Sequence, residues 1–208
     1  EYFADIEDSG AEIPAIPQEL EQHEARHLVV ERDVPATDIT IAFHMGDRLS
    51  RDFFLGDMAS DLLAGGDSAR LYERLIKKKR LFSSVNAYIS GDVDCGTFCF
   101  TGQLLPTTTE QQAEAALWEE ISELQQGKIS DYEIEKVKNK FEANTLFGEL
   151  NVMNKAMNLG YYEMIGDLPL INREVEVYRS LQRSDIADFA QRIFREENLS
   201  TLIYRARK

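Results

Sequence analysis

Positive charge is scarce in this 208-residue chain: 23 lysines and arginines stand against 37 aspartates and glutamates, a formal net charge of -14. Nucleic-acid binders and proteins that dock on anionic lipid carry basic faces, so this balance argues against both. Long apolar runs are also missing. No stretch reaches the roughly 20 residues of a membrane-spanning helix. No signal peptide is visible, and the first residue is Glu1 rather than Met, so the chain reads as processed or as a piece of something longer. Cysteine occurs twice, within Asp94-Cys95-Gly96-Thr97-Phe98-Cys99-Phe100. That segment reads as a strand, on which residues four apart lie about 13 Å from one another, beyond the ~7 Å between Cα atoms that a disulfide spans. Two buried thiols acting as small apolar residues are expected, and two cysteines cannot build a four-thiolate zinc site. A nucleotide loop is lacking too. Gly65-Gly66-Asp67-Ser68 precedes a helix but carries no lysine, so it reads as a turn between helices. No local pattern suggests a Ser, His and Asp triad.

What is present is a core-forming composition, 43% hydrophobic and 29% charged, which marks a folded globular chain. Residues 1–25 are polar, with Pro14 and Pro17 close together, and read as a connector or arm. His27-Leu28-Val29-Val30-Glu31 is a short strand. Ile39, Ile41, Phe43 and Met45 alternate with Thr40, Ala42 and His44 in a half-buried strand, and the two are expected to form an antiparallel pair. Ser50 is placed as the cap of a helix carrying Phe54, Leu55, Met58 and Leu62, and Ser68 as the cap of a second with Leu71, Leu75 and Ile76 on one face. The basic run Lys77-Lys78-Lys79-Arg80 fits its last turn. Strands follow near 81–90 and 95–104. Thr109 with Gln112, and Ser130 with Glu133, form capping boxes. The first opens the stripe Ala113, Leu117, Ile121 and Leu124; the second opens a helical run reaching, with breaks, to about Tyr162. Asn172 and Ser184 are read as caps of two more helices, and residues 200–204 as a closing strand. Hairpins and helices come in blocks, so the fold class is α+β: a mostly antiparallel sheet of about five strands with helices packed on one face. The organisation is a connector over 1–25 and a single domain over 26–208.

One motif suggests chemistry. His23-Glu24-Ala25-Arg26-His27 spells His-Glu-x-x-His, which on a helix places two imidazoles one turn apart on a zinc ion, with the Glu as general base. The context contradicts it. The residues before are proline-spaced and polar, and a strand follows at once. The only other histidine, His44, lies on a strand and reads as a satisfied strand residue. His23, Glu24 and His27 are therefore judged a chance match, and no metal or cofactor is expected in this chain.

Several segments then resemble a known family together. Gly65-Gly66-Asp67-Ser68-Ala69-Arg70-Leu71-Tyr72 is similar to the Gly-Gly-x-Ser-Ser-Arg-Leu-Tyr segment of pitrilysin/insulinase-family C-terminal domains. Leu81-Phe82-Ser83-Ser84-Val85-Asn86-Ala87-Tyr88 follows at the expected interval. Val34-Pro35, Ala42-Phe43-His44-Met45, Val137-Lys138-Asn139-Lys140-Phe141-Glu142, Asn154-Lys155-Ala156-Met157-Asn158-Leu159, Leu170-Ile171-Asn172 and Asn198-Leu199-Ser200-Thr201-Leu202-Ile203-Tyr204 carry the resemblance along nearly the whole chain. It implies the non-catalytic C-terminal domain of a bacterial zinc metallopeptidase, inactive alone, with Tyr2–Ile6 as the last piece of an N-terminal domain. That domain would hold the zinc on an inverted His-x-x-Glu-His motif, which this chain lacks. The partners implied are this N-terminal domain, a peptide substrate enclosed between the two, and a homo- or heterodimer of such chains; the compartment would be bacterial cytoplasm or periplasm. The alternative is a structural or assembly subunit related to the peptidases. Many family members grip substrate with an Arg and a Tyr. Ile76 and Ser83 stand at those positions here, and Arg74 and Tyr88 are the nearby candidates for substrate binding.

Overall fold

The alternation of Ile39, Ile41, Phe43 and Met45 sets the middle of the molecule. All four are buried, on a strand, β2 (Asp38–Met45), that lies at the centre of a five-stranded sheet. The structure, a computed structural model, describes Gly10, Pro17, residues 19–91 and residues 93–207; the arm Tyr2–Ile6 lies outside the described residues. The other strands are β1 (Arg26–Arg32), β3 (Phe82–Ser90), β4 (Gly96–Leu104) and β5 (Leu199–Ala206), in the spatial order β1-β5-β2-β4-β3. Three of the four pairings are antiparallel and β1–β5 is parallel, so the sheet is mostly antiparallel as expected.

The expected β1–β2 pair is corrected. β5 lies between them, with Ile39 opposite Ile203 and Phe43 opposite Leu199. The reason lies in the side chains. β5 brings Leu199, Thr201 and Ile203 to the buried face, whereas β1 alternates Val29 with His27 and Glu31 on that side and stays largely exposed. The more apolar strand takes the position with neighbours on both sides.

The described residues form six α-helices, α1 (Arg51–Ala64), α2 (Glu110–Gln125), α3 (Asp131–Gly148), α4 (Val152–Met164), α5 (Leu170–Ser180) and α6 (Arg183–Ile193); α1, α2 and α6 pack against the sheet, α3 and α5 against α1, and α4 against α5. Both capping boxes form. Gln112 N donates to Thr109 Oγ1 at 3.2 Å and Thr109 N to Gln112 Oε1 at 2.9 Å; Ser130 and Glu133 reciprocate in the same way. Ala113, Leu117, Ile121 and Leu124 are fully buried along α2. Ser50 takes the first cap position, but its side chain caps nothing; the Asp47 carboxylate accepts from Leu49 N and Ser50 N instead. Asn172 and Ser184 lie inside their helices rather than before them. Asp167 Oδ1 accepts from Leu170 N, and Asp185 Oδ2 from Gln182 N, so aspartates supply these caps. The segment after Gly65-Gly66 winds as a π-helix over Tyr72–Lys78, with Lys79 N bonded to Arg74 O; Leu71 and Leu75 face the core.

Between sheet and helices sits an aromatic cluster. Phe194, just past α6, meets the rings of Phe98 at 4.9 Å, Phe43 at 5.1 Å, and Phe100 and Phe189 at 5.9 Å, mostly edge to face. Trp118 of α2 meets Phe43 at 6.0 Å. Edge-to-face rings match positive rims to negative faces and fix the spacing of helix and sheet layers.

Candidate functional site

The helix that His-Glu-x-x-His requires does not form. His23 and Glu24 lie outside any helix or strand, and His27 is on β1 beside Thr201 of β5. Among the described residues, no three His, Cys, Asp or Glu side chains gather into a group that could hold a metal ion. The residues just before β1 serve another purpose. Gln22 is buried; its Nε2 donates to Leu199 O at 2.8 Å and its Oε1 accepts from Ser200 Oγ at 3.2 Å. This ties Gln22 to β5 beside a cavity of about 980 Å³, lined in part by His44, Cys95, Arg192 and Arg195. Its two cations are already paired, Arg192 with Asp52 and Arg195 with Glu21.

The face of the sheet opposite the helices is the broadest candidate surface. Because side chains alternate along a strand, burial of Ile39, Ile41 and Phe43 turns Asp38, Thr40, Ala42 and His44 outward. The same parity exposes Thr97, Cys99, Thr101 and Gln103 on β4, Ser84, Asn86, Tyr88 and Ser90 on β3, and Ser200, Leu202 and Tyr204 on β5. On β2 to β5 these positions include one carboxylate, Asp38, and no lysine or arginine; the edge strand β1 adds Arg26 and Arg32 to the same face, in register with Ser200 and Ala206. A depression of about 480 Å³ lies on this face, bordered by Thr40, Ser84, Asn86, Thr101 and Gln103. Hydroxyls and amides there can donate to and accept from a peptide backbone, and Asp38 is the one charged group at its border.

The parity also corrects the expectation of two buried thiols. Phe98 and Phe100 take the core positions, so Cys99 points to the open face. Cys95 precedes β4, and both thiols are half-buried. Burial raises the Cys95 thiol, which sits 3.3 Å from Met45 O.

Arg74 and Tyr88 occupy different layers. Tyr88 is an exposed side chain of the open face, paired across the strands with Cys99. Arg74 leaves the π-helix toward α2, where Nη1 donates to Glu120 Oε2 at 2.8 Å and to Glu123. Burial raises the Glu120 carboxyl even with Arg74 beside it. Ile76 packs against the core, and Ser83 Oγ donates to Gln103 Oε1 at 3.0 Å. The partners of Arg74 lie 46 and 49 residues further along the chain, a distance that no local motif bridges.

A buried polar cluster fastens α4 and α5 to the loop after β2. Arg48 lies 4.1 Å above the Phe53 ring, and its Nη2 donates to Glu174 Oε1 at 2.7 Å and Tyr162 Oη at 3.3 Å. Tyr162 Oη donates to the other oxygen of Glu174. Next to it, Tyr178 Oη donates to Asp57 Oδ2 at 2.6 Å. Burial pushes the Asp57 carboxyl from 3.8 up to about 6; nearby Asp61 and Glu174 add to this, while the Tyr178 bond and Arg48 oppose it. The folded state therefore holds this proton where the unfolded chain has lost it, and the Asp57 contribution falls as pH rises from 3.8 through about 6. Asp57→Asn keeps an acceptor for Tyr178 and cannot ionise. It is expected to be more stable than the parent by about 2 kcal/mol at pH 7.5 and equal to it near pH 4, as read from urea unfolding at both values.

Residues 1–141 match the family model described as the peptidase M16 inactive domain, more than half of the chain. The chain belongs to this family. M16 is the pitrilysin/insulinase family, so the non-catalytic half expected from the motifs is the one found. An uncharacterised zinc protease from Rickettsia bellii is 23% identical to the M16 domain over 179 residues, covering 85% of the domain and 43% of that protein. A protease from Helicobacter pylori shares its fold with a TM-score of 0.89 at 23% identity, over 95% of the domain and 48% of that chain. A peptidase M16 inactive domain from Pseudomonas fluorescens has a TM-score of 0.79 at 14% identity, over 96% and 47%. The domain thus spans about half the length of these relatives.

Proposed function

We propose that this chain is the metal-free half of a zinc peptidase, pairing with an N-terminal half that carries the zinc and enclosing a peptide between them. The observation that carries the reading is the open sheet face, rich in hydroxyl and amide groups across β2 to β5 with Asp38 the one charge those strands bring to it, in a family domain half the length of its relatives. Zinc-bound water in the partner half would attack the scissile carbonyl. This half would hold the extended peptide through backbone hydrogen bonds and limit its contact with bulk water. Tyr88, on that face, is the proposed side-chain contact. Arg74 can join only by leaving its two carboxylates. Residues 1–25 would be the connector from the first half and 26–208 the domain.

The test is a peptide-cleavage assay with zinc present, on this chain alone and mixed with its upstream half. Cleavage is expected only in the mixture; cleavage by this chain alone would overturn the reading. Ile76 against the core and Ser83 bonded to Gln103 leave the usual gripping positions without charge or ring, and this favours a second reading, a structural or assembly subunit. An inactive mixture whose upstream half has no inverted zinc motif would establish the second.

A further inference from the structure

The helix α4 is exposed all round from its start to Gly160, and is covered only at its end, where Tyr161 and Tyr162 meet the core. No residue from 149 to 160 is buried or even half-buried. One stripe of α4 is nonetheless apolar: Met153, Met157, Gly160 and Met164 follow one another at spacings of four, three and four, and Phe147 and Leu150, before the break that separates α3 from α4, are exposed apolar residues as well. The five large side chains are between 66% and 78% exposed. Spacings of three and four put residues on a single helical stripe. A 13-residue helix in water is marginal without a packed face, and an apolar patch of this extent marks a contact surface. Methionine suits a surface that must fit another apolar one, because its unbranched thioether adapts to irregular neighbours.

The stripe is presented rather than loose. At its N-terminus Asn151 Oδ1 accepts from Met153 N at 2.9 Å and Asn154 N at 3.3 Å. At the other end Tyr162 is buried and bonded to Arg48 and Glu174.

We infer that the α4 stripe is the surface on which the upstream half of the parent polypeptide docks. Two observations select this occupant over a second copy. The relatives carry about as much chain again as this domain. The chain has a net charge of -14, eight of its carboxylates lying within residues 1–25, while α4 carries only Lys155 and Glu163, so self-pairing would bring two acidic chains together around a neutral helix. The inference rests on the pairing of halves proposed above and not on its peptidase chemistry.

Amide hydrogen exchange tests it, on this chain alone and on the full-length polypeptide, each as parent and as Met153→Glu/Met157→Glu. In the chain alone, amides of residues 150–160 should exchange nearly unprotected; in the full-length parent they should slow by roughly 100-fold. The double variant should restore fast exchange there and leave β2 and α2 protected as before. Equal, fast exchange of 150–160 in both parent samples would overturn the inference. So would protection in the chain alone that grows with concentration, which assigns the stripe to a second copy. If the full-length protein protects α4 but cleaves no peptide, the peptidase reading fails and the docking surface stands.

Discussion

Arg48→Met should cost about 3–4 kcal/mol of folding stability and loosen α4 and α5 before the rest of the domain. Removing one partner of a buried ion pair is expensive because the other is left without a counter-charge. Arg48 is 7% exposed and Glu174 18%, so Glu174 can recover only part of its hydration. Methionine retains the apolar stem over Phe53 but cannot answer Glu174, and Asp57 loses the cation that opposes its upward shift. Urea unfolding gives the size of the loss, and hydrogen exchange across 161–180 its place. Arg48→Met/Glu174→Met is the companion variant: with both charges gone it should recover at least half of the loss. If the double variant is as unstable as the single one, packing rather than charge holds α4 and α5 to the loop after β2.

How much was legible in the sequence follows from the range of each interaction. The capping boxes at Thr109 and Ser130 lie within four residues and are legible, as is the stripe of α2, whose period is local. The place of β5 is not: its pairing with β2 closes a loop of more than 150 residues, and only the comparison of its apolar positions with those of β1 explains the order. Asn172 and Ser184 look like the caps of α5 and α6 in sequence because the capping role of Asp167 and Asp185 depends on where the backbone turns.

For the site, strand parity already placed Thr40, Ala42 and His44 together on one side of a half-buried strand, but the cation of Arg74 looked available until α2 brought Glu120 and Glu123 beside it. The spacing of Met153 and Met157 is that of a packed helix face. A helical run through this region was legible; the lack of a cover within the described residues was not, because sequence period reports that a face is apolar and not which chain buries it.

Phe194→Ala should lower stability by about 4 kcal/mol, the largest single loss expected here. Truncating a buried phenylalanine typically costs 3–5 kcal/mol, through lost transfer energy and the cavity left behind. Phe194 sits at the upper part of that range because four other phenylalanine rings lean on it. Its backbone does not need the ring: Phe194 N bonds to Ala190 O, and its carbonyl accepts from Gln125 Nε2 at 3.0 Å. The loss should therefore come from packing, with α6 still helical. For a domain of this size it corresponds to a fall in Tm of about 10 °C. Phe194→Leu, which fills part of the cavity, should lose less than half as much. The effect should reach the open face as well, because Phe43 and Phe98 touch Phe194 from strands whose alternate residues, Thr40, Ala42, Cys99 and Thr101, form that surface. Faster hydrogen exchange in β2 and β4 than in β3, at temperatures where the variant is still folded, would show the loss travelling along those strands. Uniform loosening of all three would mean that the cluster supports the fold as a whole and not this wall of it.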